Sequence, residues 1–253
     1  MRVGRFLSVA LTFTFFVCAQ GVGNAGTIED DFDAQDSSAW HEVLGTWVFQ
    51  EISDPNYGYH GYGSGAADEP AASVVDNAQP YYNANLLVEA RLNVTERYLE
   101  EDLDGEHWNS AGFSFSLNHF GTVDFNGYTV DVDINNDSLS IGKVNEEGPN
   151  EWVSTTGLGL EFDVWYTLRL SVNPDENMNA YLYEADGTTL VGQVIDIEPF
   201  PLPYNYGLVA IFADGDALFD DFSLTGTPVP APAALLLFGS GLIGLLGFRR
   251  KLR

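Results

Sequence analysis

Carboxylates are the reactive groups that this sequence supplies in the greatest number. All 37 aspartates and glutamates lie between Glu29 and Asp221, where only four basic residues accompany them. The densest run, residues 100–106, contains the residue types of a glycosidase acid and nucleophile, which must be held about 5 Å or more apart on rigid elements. Because the run does not alternate with apolar residues, we interpret it as a solvated loop without catalytic function.

Nucleophilic catalysis has no recognisable set of residues in this chain. Cys18 is the only cysteine, a G-x-S-x-G motif does not occur, and none of the four histidines has an evident catalytic partner. His60 belongs to the aromatic run Tyr57–Tyr62, which we interpret as a flexible loop. These observations favour a protein that is not an enzyme.

The same aromatic run offers rings for a carbohydrate site. Tyr57, Tyr59 and Tyr62 could stack on sugar faces while neighbouring carboxylates and amides bond the hydroxyl groups. Aromatic side chains of β-proteins pack more often in the core or in loops, so this hypothesis depends on the exposure of the three rings.

The charge distribution limits the classes of partner. The segment from Glu29 to Asp221 carries a net charge of −33, because 37 acidic residues face four basic ones. A field of this sign repels nucleic acid and anionic membrane surfaces, whereas it favours solubility and divalent cations. We therefore expect no nucleic-acid partner.

Short strands are the elements that must position these groups. Leu86, Val88, Ala90, Leu92 and Val94 alternate with more polar residues, which predicts a half-buried strand. Similar runs, with no long amphipathic helix between them, occur at residues 46–52, 71–75, 112–117, 165–173, 178–184, 189–196, 206–213 and 217–224. About a dozen strands separated by turn residues predict an all-β chain folded as an antiparallel β-sandwich, and their number favours a jelly roll over an immunoglobulin fold.

The clearest hairpin joins residues 128–134 to residues 138–144. The apolar residues of its first strand share one face, Asp131 and Asp133 lie on the other, and residues 135–137 tolerate the left-handed backbone of a tight turn. The acidic residues imitate the start of an EF-hand loop but lack its central glycine and closing glutamate, so strand pleating explains them better.

The first 25 residues have the plan of a secretory signal peptide. Arg2 and Arg5 precede an apolar run at residues 6–17, which small residues follow. We predict export through the Sec translocon and cleavage after Ala25, with Ala19 as the second choice. Cleavage removes the only cysteine, so the mature chain has no internal disulfide.

Residues 228–253 form a C-terminal tail behind a domain that we place at residues 27–227. An uncharged apolar run of 16 residues, from Ala233 to Phe248, spans roughly 24 Å as a helix, slightly less than the ~30 Å core of a bilayer. We predict a transmembrane helix there. The basic stop that follows it consists of Arg249, Arg250 and Lys251. The positive-inside rule keeps this stop in the cytoplasm and the domain outside.

A proline motif leads into the apolar run. Its residues are Val229, Pro230, Ala231, Pro232 and Ala233, and LFGSGLIGLLG and RRK follow. The combination resembles a PEP-CTERM sorting signal of the VPxPA type, although alanine stands at position 231 where the commonest form has glutamate. The resemblance implies processing by a membrane exosortase at the proline motif, usually in bacteria that make exopolysaccharide. The protein would be anchored in the inner membrane first and reach the cell surface or extracellular matrix after processing.

A second resemblance covers the domain. Its stretches are EDDF from Glu29, GTW from Gly45, WYTLRLSV from Trp165 and ALFDDFSL from Ala217. Their pattern is similar to that of concanavalin A-like and laminin G-like jelly rolls.

In such jelly rolls the first and last strands are neighbours. The resemblance therefore implies that Asp30 and Asp31 lie near Asp220 and Asp221. Four carboxylates that close repel one another without a cation, and relatives of this fold often hold a structural calcium there. We expect a calcium site at these four residues.

Three functions remain open at this point. The first is a non-catalytic cell-surface or matrix protein associated with exopolysaccharide or biofilm. The second is a carbohydrate-binding module, and the third is a glycan-cleaving enzyme. Several aromatic rings exposed along one groove would favour binding, whereas two buried, facing carboxylates in a cleft would favour catalysis.

Overall fold

β-Strands are the regular elements of this chain. The computed structural model describes residues 25–53, 56–62, 71–75, 79–95, 109–118, 126–144, 151–199 and 205–229. The strands in these ranges are β1 Gly26–Asp30, β2 Trp40–Leu44, β3 Thr46–Ser53, β4 Asn56–Tyr62, β5 Ala71–Val75, β6 Tyr81–Tyr82, β7 Leu87–Thr95, β8 Ser110–Asn118, β9 Asn126–Asp133, β10 Ser138–Val144, β11 Glu151–Thr156, β12 Trp165–Val172, β13 Met178–Glu184, β14 Leu190–Ile197, β15 Tyr206–Asp214 and β16 Asp216–Gly226.

The strands form two antiparallel sheets. Sheet A has the order β14-β13-β12-β7-β16-β4-β3, with β1 also paired to β16. Sheet B has the order β11-β10-β9-β8-β15-β5-β2, with β6 also paired to β15. The predicted antiparallel sandwich is confirmed.

The core lies between the sheets because each strand turns its alternate, apolar residues inward. In β9, Val130 and Val132 are fully buried, as are Phe113 and Phe115 of β8 and Leu168 of β12. Each such side chain contributes about 1.5–3 kcal/mol of hydrophobic stabilisation. The period-two pattern thus determines which residues of each strand enter the core and which lie on the outer face of the sheet.

The predicted hairpin at residues 128–144 is confirmed. β9 and β10 are paired antiparallel, with Val130 opposite Ile141 and Asp133 opposite Ser138. The turn between them uses a positive φ of 49° at Asp137, within the stretch that tolerates left-handed backbone.

Residues 57–62, interpreted above as a loop, instead belong to strand β4. Gly61 admits the ring of Trp47, because a Cβ at Gly61 would lie 2.7 Å from that ring, and Gly58 likewise admits Ile52. The glycines that look like loop residues in the sequence are therefore spaces for large side chains of β3. The assignment of His60 to a flexible loop is wrong.

β16 divides one of its edges between two partners. Its first half pairs with β4, and its second half pairs with β1, where Phe222 lies opposite Asp30. A bulge on the β7 side falls at the same place, between Asp220 and Ser223, and Asp221 has a φ of 48°. The predicted adjacency of the first and last strands is confirmed.

Within the described ranges there is no helix long and apolar enough to cross a membrane. The predicted signal peptide (residues 1–24 of it), the predicted membrane segment Ala233–Phe248, and the basic stop lie outside those ranges. Of the proline motif, only Val229 is described.

Candidate functional site

The face of sheet B that points away from the core is lined with small polar and acidic residues. Strand register arranges them in three rows of cross-strand neighbours, which lie about 4.5–5.5 Å apart. The rows are Trp152, Gly142, Thr129 and Ser114; then Ser154, Ser140, Asp131, Gly112 and Phe212; then Thr156, Ser138, Asp133, Ser110 and Asp214. We call this set the serine–aspartate face.

Asp131 lies in the middle of the second row and is incompletely bonded. Its Oδ1 atom is buried and has no hydrogen-bond partner in the part of the chain that the structure describes. Burial, followed by repulsion from Asp133 and Asp214, raises the pKa of Asp131 to about 7, although a hydrogen bond from Ser110 opposes the shift. At neutral pH this carboxyl can therefore either accept or donate a hydrogen bond.

Most other polar residues of the face are buried, with exposed fractions of 2–6% for Ser110, Ser114, Thr129, Asp133, Ser138 and Ser140. The hydroxyl oxygens of Ser140 and Ser154 are 2.8 Å apart. Asp133 accepts hydrogen bonds from the backbone and side-chain amides of Asn136, at 2.9 and 2.5 Å, and so closes the β9–β10 turn. Among the described residues of the three rows, Asp131 is the one with a buried oxygen that has no hydrogen-bond partner.

Trp152 provides an apolar platform at the edge of the same face. Its side chain is 44% exposed. A Cβ on Gly142 would lie 2.2–2.7 Å from three atoms of the indole, so the ring lies across the glycine of the neighbouring strand. A side chain larger than glycine at position 142 would collide with the ring, so Gly142 makes room for the partly exposed indole.

The outer face of sheet A is built differently. Arg91 Nη1 lies 3.1 Å from Asp220 Oδ2 and 3.4 Å from Asp221 Oδ2, and its guanidinium stacks 4.9 Å from the centre of the Trp165 ring. We call the outer face of sheet A the arginine face.

A second arginine repeats this arrangement on the arginine face. Arg169 forms an ion pair with Glu89 and lies 5.1 Å from the centre of the Tyr183 ring. Cross-strand register explains both sets, since Arg91 lies opposite Asp220 and Arg169 lies opposite Glu89. Each of these two cations is therefore held between a carboxylate and an aromatic ring.

Some buried atoms of the arginine face also lack a hydrogen-bond partner among the described residues. They include Arg91 Nε, and His60 Nε2 and Asn93 Oδ1 on side chains that are about 6% exposed. Buried water satisfies such atoms in most folded proteins.

His60 has no catalytic arrangement around it. Its Nδ1 bonds Gln50 Oε1, and its ring packs 3.9 Å from that of Tyr62. Burial lowers the pKa of His60 to about 4, so the ring is neutral at physiological pH. The acidic run at residues 100–106 lies outside the described residues.

The three tyrosines predicted to bind sugar do not form one surface. Tyr59 is fully buried, with its ring 4.8 Å from that of Trp47 and 5.3 Å from that of Phe32. Tyr57 lies on the same side of β4 as Tyr59, whereas Tyr62 lies on the opposite side. A stacking role for Tyr59 is wrong because its ring is part of the core.

The four aspartates predicted to bind calcium do not fit a calcium site. Asp30 already accepts hydrogen bonds from the Trp40 indole and the Phe32 backbone, both at 2.8 Å, and Asp31 accepts one from a neighbouring backbone amide. No group of three or more potential metal ligands occurs in the ranges that the structure describes.

Asp220 is likewise committed to protein partners. It is 2% exposed, and its oxygens bond Arg91 and the backbone amide of Asp221. Arg91 therefore supplies a positive charge next to this carboxylate. Burial and the charge of Asp221 nevertheless raise the pKa of Asp220.

The C-terminal tail matches a known protein-sorting signal. Residues 228–251 match the model of the PEP-CTERM protein-sorting motif. The chain carries a PEP-CTERM sorting motif. The motif implies export, anchoring by the C-terminal tail before processing, and an exosortase as the processing partner. No curated protein matches the chain.

Solved structures similar to the sandwich include carbohydrate-binding proteins. The carbohydrate-binding module CBM66 from Bacillus subtilis has a TM-score of 0.51 at 15% identity, over 73% of this chain and 94% of the module. The exoplasmic/lumenal domain of VIP36, in its Ca²⁺/Man3GlcNAc-bound form, has a TM-score of 0.51 at 13% identity, over 79% of this chain and 88% of that one.

A third similar structure has no assigned function. It is the protein SO2946 from Shewanella oneidensis MR-1, with a TM-score of 0.53 at 12% identity, over 83% of this chain and 91% of that one. At these identities the likeness shows the fold alone. The fold is the jelly roll of lectins and carbohydrate-binding modules, as the sequence pattern predicted.

Sequence reasoning missed Trp152 and β11. The signal was present, because Trp152, Ser154 and Thr156 alternate just after the confirmed hairpin. The role of Asp131 could not be found from sequence, since it depends on which neighbours the register brings beside it.

Proposed function

We propose that this chain is a non-catalytic protein of the bacterial cell surface or extracellular matrix whose jelly roll binds carbohydrate on the serine–aspartate face. Its PEP-CTERM tail, at residues 228–251, supports export and processing by an exosortase. The observation that carries the binding proposal is the underbonded carboxyl of Asp131, which shares one sheet face with the exposed ring of Trp152.

The two groups match the two parts of a sugar. Pyranose rings present C–H groups that pack on an aromatic face, and their hydroxyls bond carboxyl and hydroxyl side chains. Trp152 supplies the first surface, while the half-buried Asp131 and the exposed residues Ser154 and Thr156 supply the second.

The negative charge of the serine–aspartate face limits which glycans it can bind. The three rows contain Asp131, Asp133 and Asp214 and no basic residue. Acidic polysaccharides are repelled by such a face, and the net charge of −27 on the chain adds to the repulsion. We therefore propose neutral or amino-bearing glycans as ligands.

Binding of the full chain, in mild detergent, to immobilised neutral, amino-bearing and acidic polysaccharides tests this proposal. We expect binding to the first two classes only. Trp152→Ala should weaken it at least about tenfold, which corresponds to loss of one central aromatic contact. The matched control is Trp165→Ala, which removes the same side chain from the arginine face and should leave binding unchanged.

Three results would each contradict a part of the proposal. Binding that is equally weakened by both tryptophan variants would mean that the serine–aspartate face is not the site. Binding to none of the glycans would leave a matrix protein without glycan recognition. New reducing ends in the bound polysaccharide would overturn the non-catalytic part.

The proposed topology has its own test. The domain lies outside if the tail crosses the inner membrane with Arg249–Lys251 in the cytoplasm. A reporter fused after Arg253 should remain cytoplasmic while the tail is attached. A reporter found outside would refute the membrane anchor.

A further inference from the structure

The first residues of the sorting motif are hydrogen-bonded to the sandwich. The amide of Tyr82 donates to the carbonyl of Thr227 at 3.0 Å, and the amide of Val229 donates to the carbonyl of Pro80 at 2.9 Å. The motif begins at residue 228, so no free linker separates it from the domain. We call residues 79–82 the strap.

Gln79 closes the strap over Val229. Its Nε2 atom donates to the carbonyl oxygens of Val229 and Pro80, each at 3.0 Å. The amide of Val229 is already bonded to Pro80, so both backbone polar groups of Val229 are occupied.

Proline does not weaken this pairing. Pro228 lies opposite Tyr81 in an antiparallel bridge, at a position where the hydrogen bonds are made by the residues on either side. Pro228 lacks an N–H group, and none is needed there. The sequence therefore permits a proline motif to start inside a sheet.

The strap is itself fixed to the core. Tyr81 is 3% exposed and belongs to the main core cluster, and both residues of β6 pair with β15, with Tyr82 opposite Tyr206. A tail bonded to the strap is consequently bonded to the rigid part of the domain.

We propose that the strap is a latch on tail processing, with Gln79 as a positioning residue that keeps Val229 bonded to the sandwich. The inference rests on the proposed processing by an exosortase. A peptidase that binds an extended segment does so through the segment's backbone N–H and C=O groups. At Val229 these groups are already bonded, so the exosortase acts on the fraction of molecules in which the strap has released the tail.

The latch also keeps the domain near the membrane. Only three residues separate Val229 from Ala233, where the apolar run begins, and the four Cα–Cα steps span at most about 14 Å when fully extended. Release of the strap lengthens this connection and gives a membrane-bound peptidase room to reach the motif.

A reversible lock tests the latch. Thr227 and Tyr82 lie opposite each other just outside the matched motif, at a pairing whose Cα separation of about 5.5 Å suits a disulfide. The double variant Thr227→Cys/Tyr82→Cys, in the full chain and in cells whose exosortase processes the wild type, should lose its tail at least tenfold more slowly when oxidised. Reduction should restore the rate of the single variants, which shows that the double variant is folded.

Loosening the latch should have the opposite effect. Gln79→Ala removes the side-chain clamp on Val229, and loss of one hydrogen bond should speed processing about fivefold. The matched control is Gln193→Ala on exposed β14, which should process at the wild-type rate. Tail loss is followed by intact mass.

Failure of the latch can be distinguished from failure of the sorting proposal. If wild type loses its tail but the oxidised double variant and Gln79→Ala lose it at the same rate, the latch is refuted. If wild type keeps its tail in exosortase-containing cells, the processing proposal itself is refuted.

Discussion

The two outer faces of the sandwich use their charges in opposite ways. On the arginine face, Arg91 and Arg169 each lie between a carboxylate and an aromatic ring. On the serine–aspartate face, three aspartates share a sheet without any cation in the three rows, and Asp131 keeps an unbonded oxygen.

This difference suggests that one face contributes mainly to stability and the other to ligand binding. Charges that are paired within the protein hold strands together and have little left to offer a ligand. A carboxyl that is buried without a full set of partners destabilises the fold, and such groups are typical of functional sites. We therefore assign cohesion to the arginine face and binding to the serine–aspartate face.

The strongest test of this assignment is Arg91→Ala. The substitution leaves Asp220, which is 2% exposed, without its cation, and should lower the free energy of unfolding by about 3 kcal/mol. Thermal denaturation should show a Tm lower by roughly 6–12 °C, while glycan binding by the folded protein stays unchanged.

The control for this prediction is a second substitution. Asp220→Asn in the Arg91→Ala background removes the uncompensated charge and should recover part of the lost stability. Equal stability of wild type and Arg91→Ala would mean that the arginine face does not hold the strands together.

Asp131→Asn should act in the opposite direction. The folded pKa of Asp131, about 7, lies above its ordinary value of 3.8, so the folded state binds an extra proton between these values. Wild-type stability therefore falls as pH rises from about 4 to about 7, and the asparagine variant lacks this loss. We expect the variant to be more stable by about 2 kcal/mol at pH 8 and nearly equal at pH 4, measured by urea unfolding.

The same carboxyl should make glycan binding depend on pH. A ligand hydroxyl donates best to the ionised form of Asp131, whose share grows between pH 6 and pH 8. Affinity should rise roughly five- to tenfold over that interval. Asp131→Asn should bind more weakly and with a flat pH profile, and a flat profile in wild type would show that the carboxyl does not contact the ligand.

Calcium should have the smallest effect. The four aspartates at the β1–β16 pairing are bonded to protein groups, and Asp220 is already paired with Arg91. Addition of calcium or chelator should move the wild-type Tm by less than about 1 °C. A clear rise with calcium, lost in Asp220→Ala, would show that a cation displaces the arginine and would break the contrast between the two faces.

Most of the fold could be predicted because its strands alternate regularly, as Leu86–Val94 and the hairpin at residues 128–144 do. β4 could not be predicted, because Gly58 and Gly61 look like loop residues in the sequence. In the fold they make room for the side chains of Ile52 and Trp47 on the neighbouring strand. The candidate site was likewise predictable only where it depends on the pattern within one strand. Asp131 was visible as an outward residue, but its missing partner and the nearby Trp152 arise from register across four strands.

The route by which the tail joins the domain has a mechanical consequence. The chain reaches the tail directly from β16, which lies between β7 on one side and β4 and β1 on the other. If the tail is anchored and the domain binds glycan, as proposed, tension between them would run along the axis of this strand. The ladder hydrogen bonds are perpendicular to that axis, so they are loaded in shear together instead of opening one after another. Among the described residues, the strap holds the tail by only three hydrogen bonds, so we expect it to yield before the sandwich does.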